Sequence, residues 1–216
     1  MPKITAITPQ RKKGRFSIFV DDEFVVGVGE KVLADLGLGV GQAVTVGELT
    51  KIARAEEVRR ATEAALRLLE VRPRAKKELE TRLRQKGYED QIISEAMVAL
   101  TRWNLIDDAQ FAAQWVESRC RSRPGGVRKL RTELFQKGIA KEQIEAAVGA
   151  ISEGDELGLA RQALAKKLRP LPADKDARRE EYRRLAGFLQ RRGFNWEITK
   201  KALAAAFEAD PEEIGD

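Results

Sequence analysis

A leucine, a second leucine four residues later and a glycine four residues after that form a pattern that occurs three times in the chain. Leucines four residues apart lie on one face of a helix, and a glycine four positions later can take the left-handed conformation that ends it. Each glycine follows a basic residue, and the three copies are Leu79, Leu83 and Gly87; Leu130, Leu134 and Gly138; and Leu185, Leu189 and Gly193. Because the copies lie about 50 residues apart, they predict stacked helical repeats.

Two further amphipathic segments flank each copy. An apolar residue and a second helix follow each glycine, and another apolar stripe precedes each leucine pair. We therefore predict a mainly α protein with three three-helix repeats, at residues 51–106, 107–152 and 153–208, and an acidic tail at residues 209–216. Since such units stack on their neighbours, we expect an elongated, curved stack.

Residues 1–50 follow a different rule, because their apolar side chains alternate with period two. The segments 16–20 and 24–28, separated by Asp21-Asp22-Glu23, predict a β-hairpin. Ile4–Thr8 adds a strand, Glu30–Leu36 a short helix closed by Gly37, and Ala43–Val46 a last strand. The repeats are thus preceded by a small β-rich N-terminal head.

The composition argues against catalysis. The chain has no histidine, which excludes Ser-His-Asp and Cys-His mechanisms and histidine-containing metal sites. Asp107 and Asp108 form the sharpest acidic pair, but adjacent helical residues point about 100° apart, and Asp107 with Gln110 fits a helix cap. We predict no catalytic residue, no metal and no cofactor. The single Cys120, with no apolar run long enough for a signal or membrane segment, favours the cytoplasm.

The net charge of +6 suggests a polyanionic or acidic protein partner. Basic residues cluster where the second helix of the first two repeats begins, and the set is Arg72, Arg74, Lys76, Lys77, Arg119, Arg121, Arg123, Arg128 and Lys129. A solvated face neutralised by nearby glutamates is the alternative interpretation. Among the tryptophans, Trp115 follows Phe111 on an apolar stripe and is expected in the core, whereas Trp103 and Trp196 are candidate anchors.

The order of these motifs resembles the RecX regulatory proteins over nearly the whole chain. The most recognisable segment is Leu105-Ile-Asp-Asp108 with Phe111-Ala112; the others are Ala65–Leu69 with Arg72-Pro-Arg74, Glu78-Leu79, Lys86-Gly87, Glu133-Leu134, Lys137-Gly138-Ile139 and Arg191–Phe194 with Ile198 and Ala202-Leu203. Two positions depart from the pattern. Ile106 stands where leucine is common, and Asn104 stands where glycine is usual, which affects the expected shape of that turn.

The resemblance implies a non-enzymatic modulator of the RecA recombinase that acts in DNA repair, recombination and the SOS response. It implies binding to the RecA–DNA filament and inhibition of filament extension, ATPase, strand exchange and coprotease activity. We also expect a monomer with weaker or indirect contact with single- or double-stranded DNA and no membrane partner. Two alternatives stay open: a DNA-binding protein with helix-turn-helix-like repeats, and a generic helical scaffold. Glu89 and Asp90, where a groove-entering helix would begin, would repel phosphate.

Overall fold

The computed structural model describes residues 1–170 and 172–207, and the predicted acidic tail at 209–216 lies outside them. The chain divides into two compact units, Met1–Ile106 and Asp107–Asp216. The first contains β1 (Ile4–Pro9), β2 (Arg15–Val20), β3 (Glu23–Gly29), α1 (Glu30–Asp35), α2 (Val46–Val71), α3 (Lys76–Gln85) and α4 (Asp90–Arg102). The second contains α5 (Asp108–Ser122), α6 (Val127–Gln136), α7 (Lys141–Gly149), α8 (Glu153–Ala165), α9 (Lys175–Arg191) and α10 (Trp196–Phe207). The mainly α class with a small N-terminal sheet is confirmed.

The head is an antiparallel sheet in the order β1-β2-β3. Asp21 and Asp22 have φ of 47° and 68°, the two left-handed residues of a tight hairpin turn that follows the strand twist. Ile18 opposes Val26 across the β2–β3 pair, and Ile18 is fully buried. The hairpin predicted from period-two alternation is therefore present, with Glu23 in the strand and not in the turn.

The predicted last strand at Ala43–Val46 is wrong. Ala43 makes only an isolated bridge to Lys3, and α2 begins at Val46. Thr45 caps this helix: its hydroxyl accepts a hydrogen bond from the Glu48 amide at 3.2 Å, and the Glu48 carboxylate accepts one from the Thr45 amide at 2.7 Å. This reciprocal capping box satisfies two backbone amides at the helix start, so a helix begins here and the predicted strand does not form.

Each repeat contains the same glycine-ended helix. Gly87, Gly138 and Gly193 have φ of 87°, 83° and 84°, a region that other residues rarely enter. The amide of the residue after each glycine donates to the carbonyl of the second leucine, at 3.2 or 3.3 Å in all three copies. All six leucines of the pattern are buried. The recurring spacing thus specifies both the apolar face and the end of the helix.

The turn before α5 has the same shape although asparagine replaces the expected glycine. Asn104 has a φ of 56°, and the Leu105 amide donates to the Leu100 carbonyl at 3.0 Å. Asparagine tolerates this conformation better than most residues, so the departure leaves the turn intact. Ile106, the other departure, is 6% exposed and packs in the core of the first repeat. Asp107 then caps α5, since its carboxylate accepts from the Ala109 and Gln110 amides at 2.9 Å each.

A buried carboxylate joins the head to the first repeat. Glu56 of α2 is 3% exposed and accepts hydrogen bonds from the Gly29 amide at 2.8 Å and from Arg15 Nη1 at 2.7 Å. Arg59 adds bonds from Nε at 2.9 Å and from Nη2 at 2.7 Å. Burial raises the pKa of Glu56, but the hydrogen bonds and charges of Arg59, Gly29 and Arg15 outweigh it and hold the pKa below its ordinary value. The head is thereby braced against α2.

In the second unit, repeats two and three meet backbone to backbone. The Gly126 amide donates to the Arg192 carbonyl at 2.9 Å, and Arg192 Nη1 donates to the Pro124 carbonyl at 2.9 Å. A Cβ placed on Gly126 would lie 2.3 Å from the Gly193 carbonyl oxygen, so no side chain fits there. Glu156 of α8 accepts from the Val127 amide at 2.9 Å. These contacts fix the spacing between the two repeats.

Glu56→Gln should lower the free energy of unfolding by about 3 kcal/mol at neutral pH, because it leaves Arg15 and Arg59 without their buried counter-charge. The deficit should shrink as pH falls below the ordinary carboxyl pKa of 4.5, since a group whose folded pKa is lowered loses its stabilising effect there. Denaturant titrations at several pH values measure both effects. Glu57→Gln, at an exposed neighbouring position, is the control, and equal effects at the two positions would contradict the role of Glu56.

Gly126→Ala should destabilise the second unit by about 2 kcal/mol, because the methyl group must push the Gly193 backbone away. The φ of Gly126 is −72°, which suits any residue, so the effect isolates the close approach. Gly158→Ala, in α8 with nothing within 4 Å of the added Cβ, should instead stabilise by about 0.5–1 kcal/mol. Thermal unfolding followed by circular dichroism compares them. Stabilisation of both variants would show that the repeats do not meet as described.

Candidate basic interface

The first predicted basic cluster contains two arginines that share one carboxylate. Arg72 Nη2 lies 2.5 Å from Glu78 Oε1, and Arg74 forms an ion pair with the same oxygen. Arg74 Nε also donates to the Leu68 carbonyl at 3.0 Å, and its side chain is only 10% exposed. Burial raises the pKa of Glu78, but both arginines outweigh it, so the pKa lies below its ordinary value. Arg74 therefore joins α2 to α3, and most of its side chain is withdrawn from solvent.

The remaining members of this cluster lie at the start of α3. Lys76 and Lys77 occupy its first turn and are both exposed. Arg72 is also largely exposed despite its bond to Glu78. The first cluster thus offers Arg72, Lys76 and Lys77 to solvent.

The second cluster begins with an arginine that belongs to the packing of Trp115. Arg119 lies over the Trp115 ring, 4.4 Å from its centroid, and the Lys137 amino nitrogen lies 4.1 Å from the same centroid. Glu133 Oε2 accepts from Trp115 Nε1 at 3.0 Å and from Arg119 Nε at 2.8 Å. Trp115 also stacks on Phe111, with ring centroids 6.0 Å apart. This half-buried assembly joins α5 to α6.

Three other arginines of the second cluster are held less tightly. Arg121 pairs with Glu117 at 3.2 Å, but both side chains are mostly exposed, and such pairs stabilise little. Arg123 and Arg128 are exposed, and within residues 1–170 and 172–207 neither has an ion-pair partner. These arginines keep their charge available to a partner.

Four cations converge where repeats two and three meet. We call Arg119, Arg123, Lys129 and Arg192 the junction cluster; they line one small cavity together with Pro124, Gly125, Leu130 and Glu133. Glu133 is the one carboxylate in this lining, so the junction cluster keeps an excess of positive charge. The cavity of about 10 Å³ has room for about one water molecule. The cavity therefore has no room for a ligand larger than water; Arg123 is exposed, whereas Arg119, Lys129 and Arg192 are half-buried.

Arg192 belongs to the junction cluster but lies outside the basic set predicted from the sequence. Its position before Gly193 repeats the basic residue that precedes the other two glycines, and this recurrence was the available signal. The backbone hydrogen bond between Gly126 and Arg192 brings Arg192 close to Arg123. It joins residues that lie far apart in the chain, so the leucine–glycine spacing does not predict it. Its guanidinium also lies 5.0 Å from the Phe188 ring centroid.

The predicted aromatic anchors are accessible. Trp103, at the end of α4, and Trp196, at the start of α10, are 48% and 49% exposed. Phe135 of α6 is 73% exposed, although the sequence analysis did not select it. All three are candidates for protein contacts.

Cys120 lacks the features of an activated thiol. Burial raises its pKa, and the charge of Asp155 raises it further, so the reactive thiolate is disfavoured. In the described parts of the chain, no group of three or more cysteines and carboxylates is placed to hold a metal ion. Across residues 1–170 and 172–207, none of the helices combines the length and apolar character needed to cross a membrane.

Domain models of one family match four successive parts of the chain. The regulatory protein RecX N-terminal domain matches residues 2–45, and the first three-helix domain of RecX matches residues 61–100. The second and third three-helix domains match residues 107–148 and 154–203. These matches cover the head and all three repeats.

Individual relatives agree. Regulatory protein RecX of Mycolicibacterium vanbaalenii is 42% identical over 134 residues, covering 60% of this chain and 73% of that protein. The protein of the same name from Clostridium botulinum strain Eklund 17B is 28% identical over 207 residues, covering 95% and 97%. A crystal structure of regulatory protein RecX matches with a TM-score of 0.76 at 24% identity, over 92% of this chain and 97% of that chain, and so shares the fold. The chain therefore belongs to the RecX family of regulatory proteins.

Proposed function

We propose that this protein binds the RecA–DNA filament and inhibits its extension, ATPase, strand exchange and coprotease activity. The observation that carries the proposal is the junction cluster, which brings together cations of the second and third repeats. The exposed Arg121 and Arg128 lie in the second repeat, and the backbones of the two repeats are in direct contact. Membership of a family of regulatory proteins supports it.

The arrangement suits an extended anionic partner. In the described part of the chain, Arg123 and Arg128 form no ion pair, so they can pair with phosphates or with carboxylates of a protein surface. Because the Gly126 amide is bound to the Arg192 carbonyl, the cations of the two repeats keep a fixed spacing. A fixed spacing matches one state of a filament better than others, and binding shifts the polymerisation equilibrium only through such a difference in affinity.

Direct reading of DNA by helix-turn-helix-like pairs is the less favoured alternative. The helix that would enter a groove carries an acidic residue in its first turn in each repeat, namely Asp90, Glu142 and Glu197. Carboxylates at that position repel phosphates. We therefore infer that contact with DNA is weaker than contact with the recombinase, or is indirect.

We further infer that the protein acts without catalysis, as a monomer in the cytoplasm. Without histidine the chain has no imidazole to act as general base, and the raised pKa of Cys120 disfavours a thiolate nucleophile. A single cysteine suits a reducing compartment. Inhibition would then depend only on occupancy of the filament.

The triple variant Arg121→Glu, Arg123→Glu and Arg128→Glu should weaken binding to preformed RecA filaments on single-stranded DNA by about tenfold or more, since each reversal replaces attraction by repulsion. Inhibition of RecA ATPase should weaken in parallel, with unchanged far-UV circular dichroism. The matched control reverses the exposed arginines Arg60, Arg161 and Arg183, which have no ion-pair partner in the described ranges. It should retain binding within about threefold.

Equal losses in the two triple variants would reject the surface of Arg121, Arg123 and Arg128 as the interface. Wild-type protein that leaves RecA ATPase and filament length unchanged at equimolar ratio, yet binds naked duplex DNA tightly, would replace the proposal by the DNA-binding alternative. Failure to bind either partner would leave the scaffold interpretation.

A further inference from the structure

A groove of about 650 Å³ lies within the first unit. The end of β3 and the helices α1, α2 and α4 form its walls. Its apolar lining residues are Val32, Leu36, Ala55, Val58, Leu66, Ala99 and Trp103. A volume of this size accommodates a few large side chains of a partner.

The groove exposes apolar groups that its own unit leaves uncovered. Trp103 is 48% exposed and Leu36 is 40% exposed, and both line the groove. Tryptophan is among the residues that contribute most to protein–protein binding, because its large ring loses much water-exposed area on contact. The Lys31 amino nitrogen lies 5.5 Å from the Trp103 ring centroid and adds one cation beside it.

The charged side chains of the groove are predominantly acidic. Its carboxylates are Glu30, Asp35, Glu63 and Glu95, and its cations are Lys31 and Arg59. Arg59 is already bound by Glu56 and Glu63, and Glu95 is paired with Arg54. Within residues 1–170 and 172–207, Glu30 and Asp35 have no ion-pair partner. This groove therefore carries unpaired negative charge, although the chain as a whole has a net charge of +6.

The walls of the groove are held by the buried Glu56 network. Arg59 and Gly29 line the groove, and both donate hydrogen bonds to Glu56. Since the network fixes β3 against α2, the groove exists before a partner arrives, and little conformational entropy is lost on binding.

We propose that this groove binds a protein segment with a large apolar side chain flanked by lysine or arginine. The apolar side chain would cover Trp103 and Leu36, and the flanking cations would pair with Glu30 and Asp35. Charge complementarity selects this occupant, because an acidic segment or a nucleic acid would bring its charge against those two carboxylates. The groove and the junction cluster therefore recognise ligands of opposite charge.

A synthetic helical peptide of about 14 leucines and lysines, patterned with leucine on one face, is the probe. Titrated into the full-length, 15N-labelled protein, it should shift the Trp103 indole resonance and the amides of Leu36 and Ala99. A peptide with glutamate in place of lysine should leave them unchanged, as should one with serine in place of leucine.

Two variants test the two parts of the interaction. Trp103→Ala, and separately Glu30→Lys with Asp35→Lys, should each weaken binding of the leucine–lysine peptide by about tenfold. The controls are Trp196→Ala, at a similarly exposed tryptophan, and Glu70→Lys with Glu180→Lys, at exposed glutamates outside the groove; both should bind as the wild type does. Far-UV circular dichroism checks that all variants are folded.

Shifts spread over the whole surface would overturn the proposal, as would equal losses in the groove variants and their controls. Tighter binding of the glutamate peptide than of the lysine peptide would also overturn it and would assign the groove to acidic partners. These outcomes are independent of RecA, so they do not bear on the proposed function.

Discussion

The approach of two glycine backbones in the second unit determines where its positive charge lies. Gly193 ends α9 in a left-handed conformation, and its carbonyl group occupies the space where any side chain on Gly126 would be. The hydrogen bond from the Gly126 amide to Arg192 then places that arginine beside Arg123 and Lys129. A residue that the helix needs for its termination therefore also assembles a surface, because glycine permits both the dihedral angle and the contact.

Buried and half-buried carboxylates decide which cations remain available. Glu56, Glu78 and Glu133 each bind two guanidinium or indole groups, and these bonds hold neighbouring elements together. An arginine that neutralises such a carboxylate cannot be withdrawn for a ligand without leaving a costly unpaired charge. Within residues 1–170 and 172–207, Arg123 and Arg128 have no ion-pair partner, so their charge is available to the ligand proposed above. The composition shows an excess of basic residues, whereas the packing decides which of them are held by carboxylates.

Local rules predicted the parts of the fold that depend on local energies. The leucine–glycine spacing and the period-two alternation of the hairpin depend on contacts within one turn or between adjacent strands. At Ala43–Val46, apolar alternation predicts a strand, whereas the Thr-x-x-Glu sequence of Thr45 and Glu48 predicts a helix start. The capping box forms, so the strand prediction is wrong. The burial of Arg74 and the placement of Arg192 depend on tertiary contacts, with the Leu68 and Pro124 carbonyls. No periodicity encodes such contacts, so the candidate site was only partly predictable.

The junction cluster and the groove of the first unit differ in the sign of their charge, although the chain has a net charge of only +6. The junction cluster has four cations and one carboxylate around it, whereas the groove of the first unit has four carboxylates and two cations. The filament proposed as the ligand of the junction cluster would be repelled at Glu30 and Asp35, so it would not compete for the groove. A basic segment bound in the groove is excluded from the junction cluster for the same reason. The two proposed ligands would therefore not compete for the same surface, because each would be repelled by the charge of the other's binding residues.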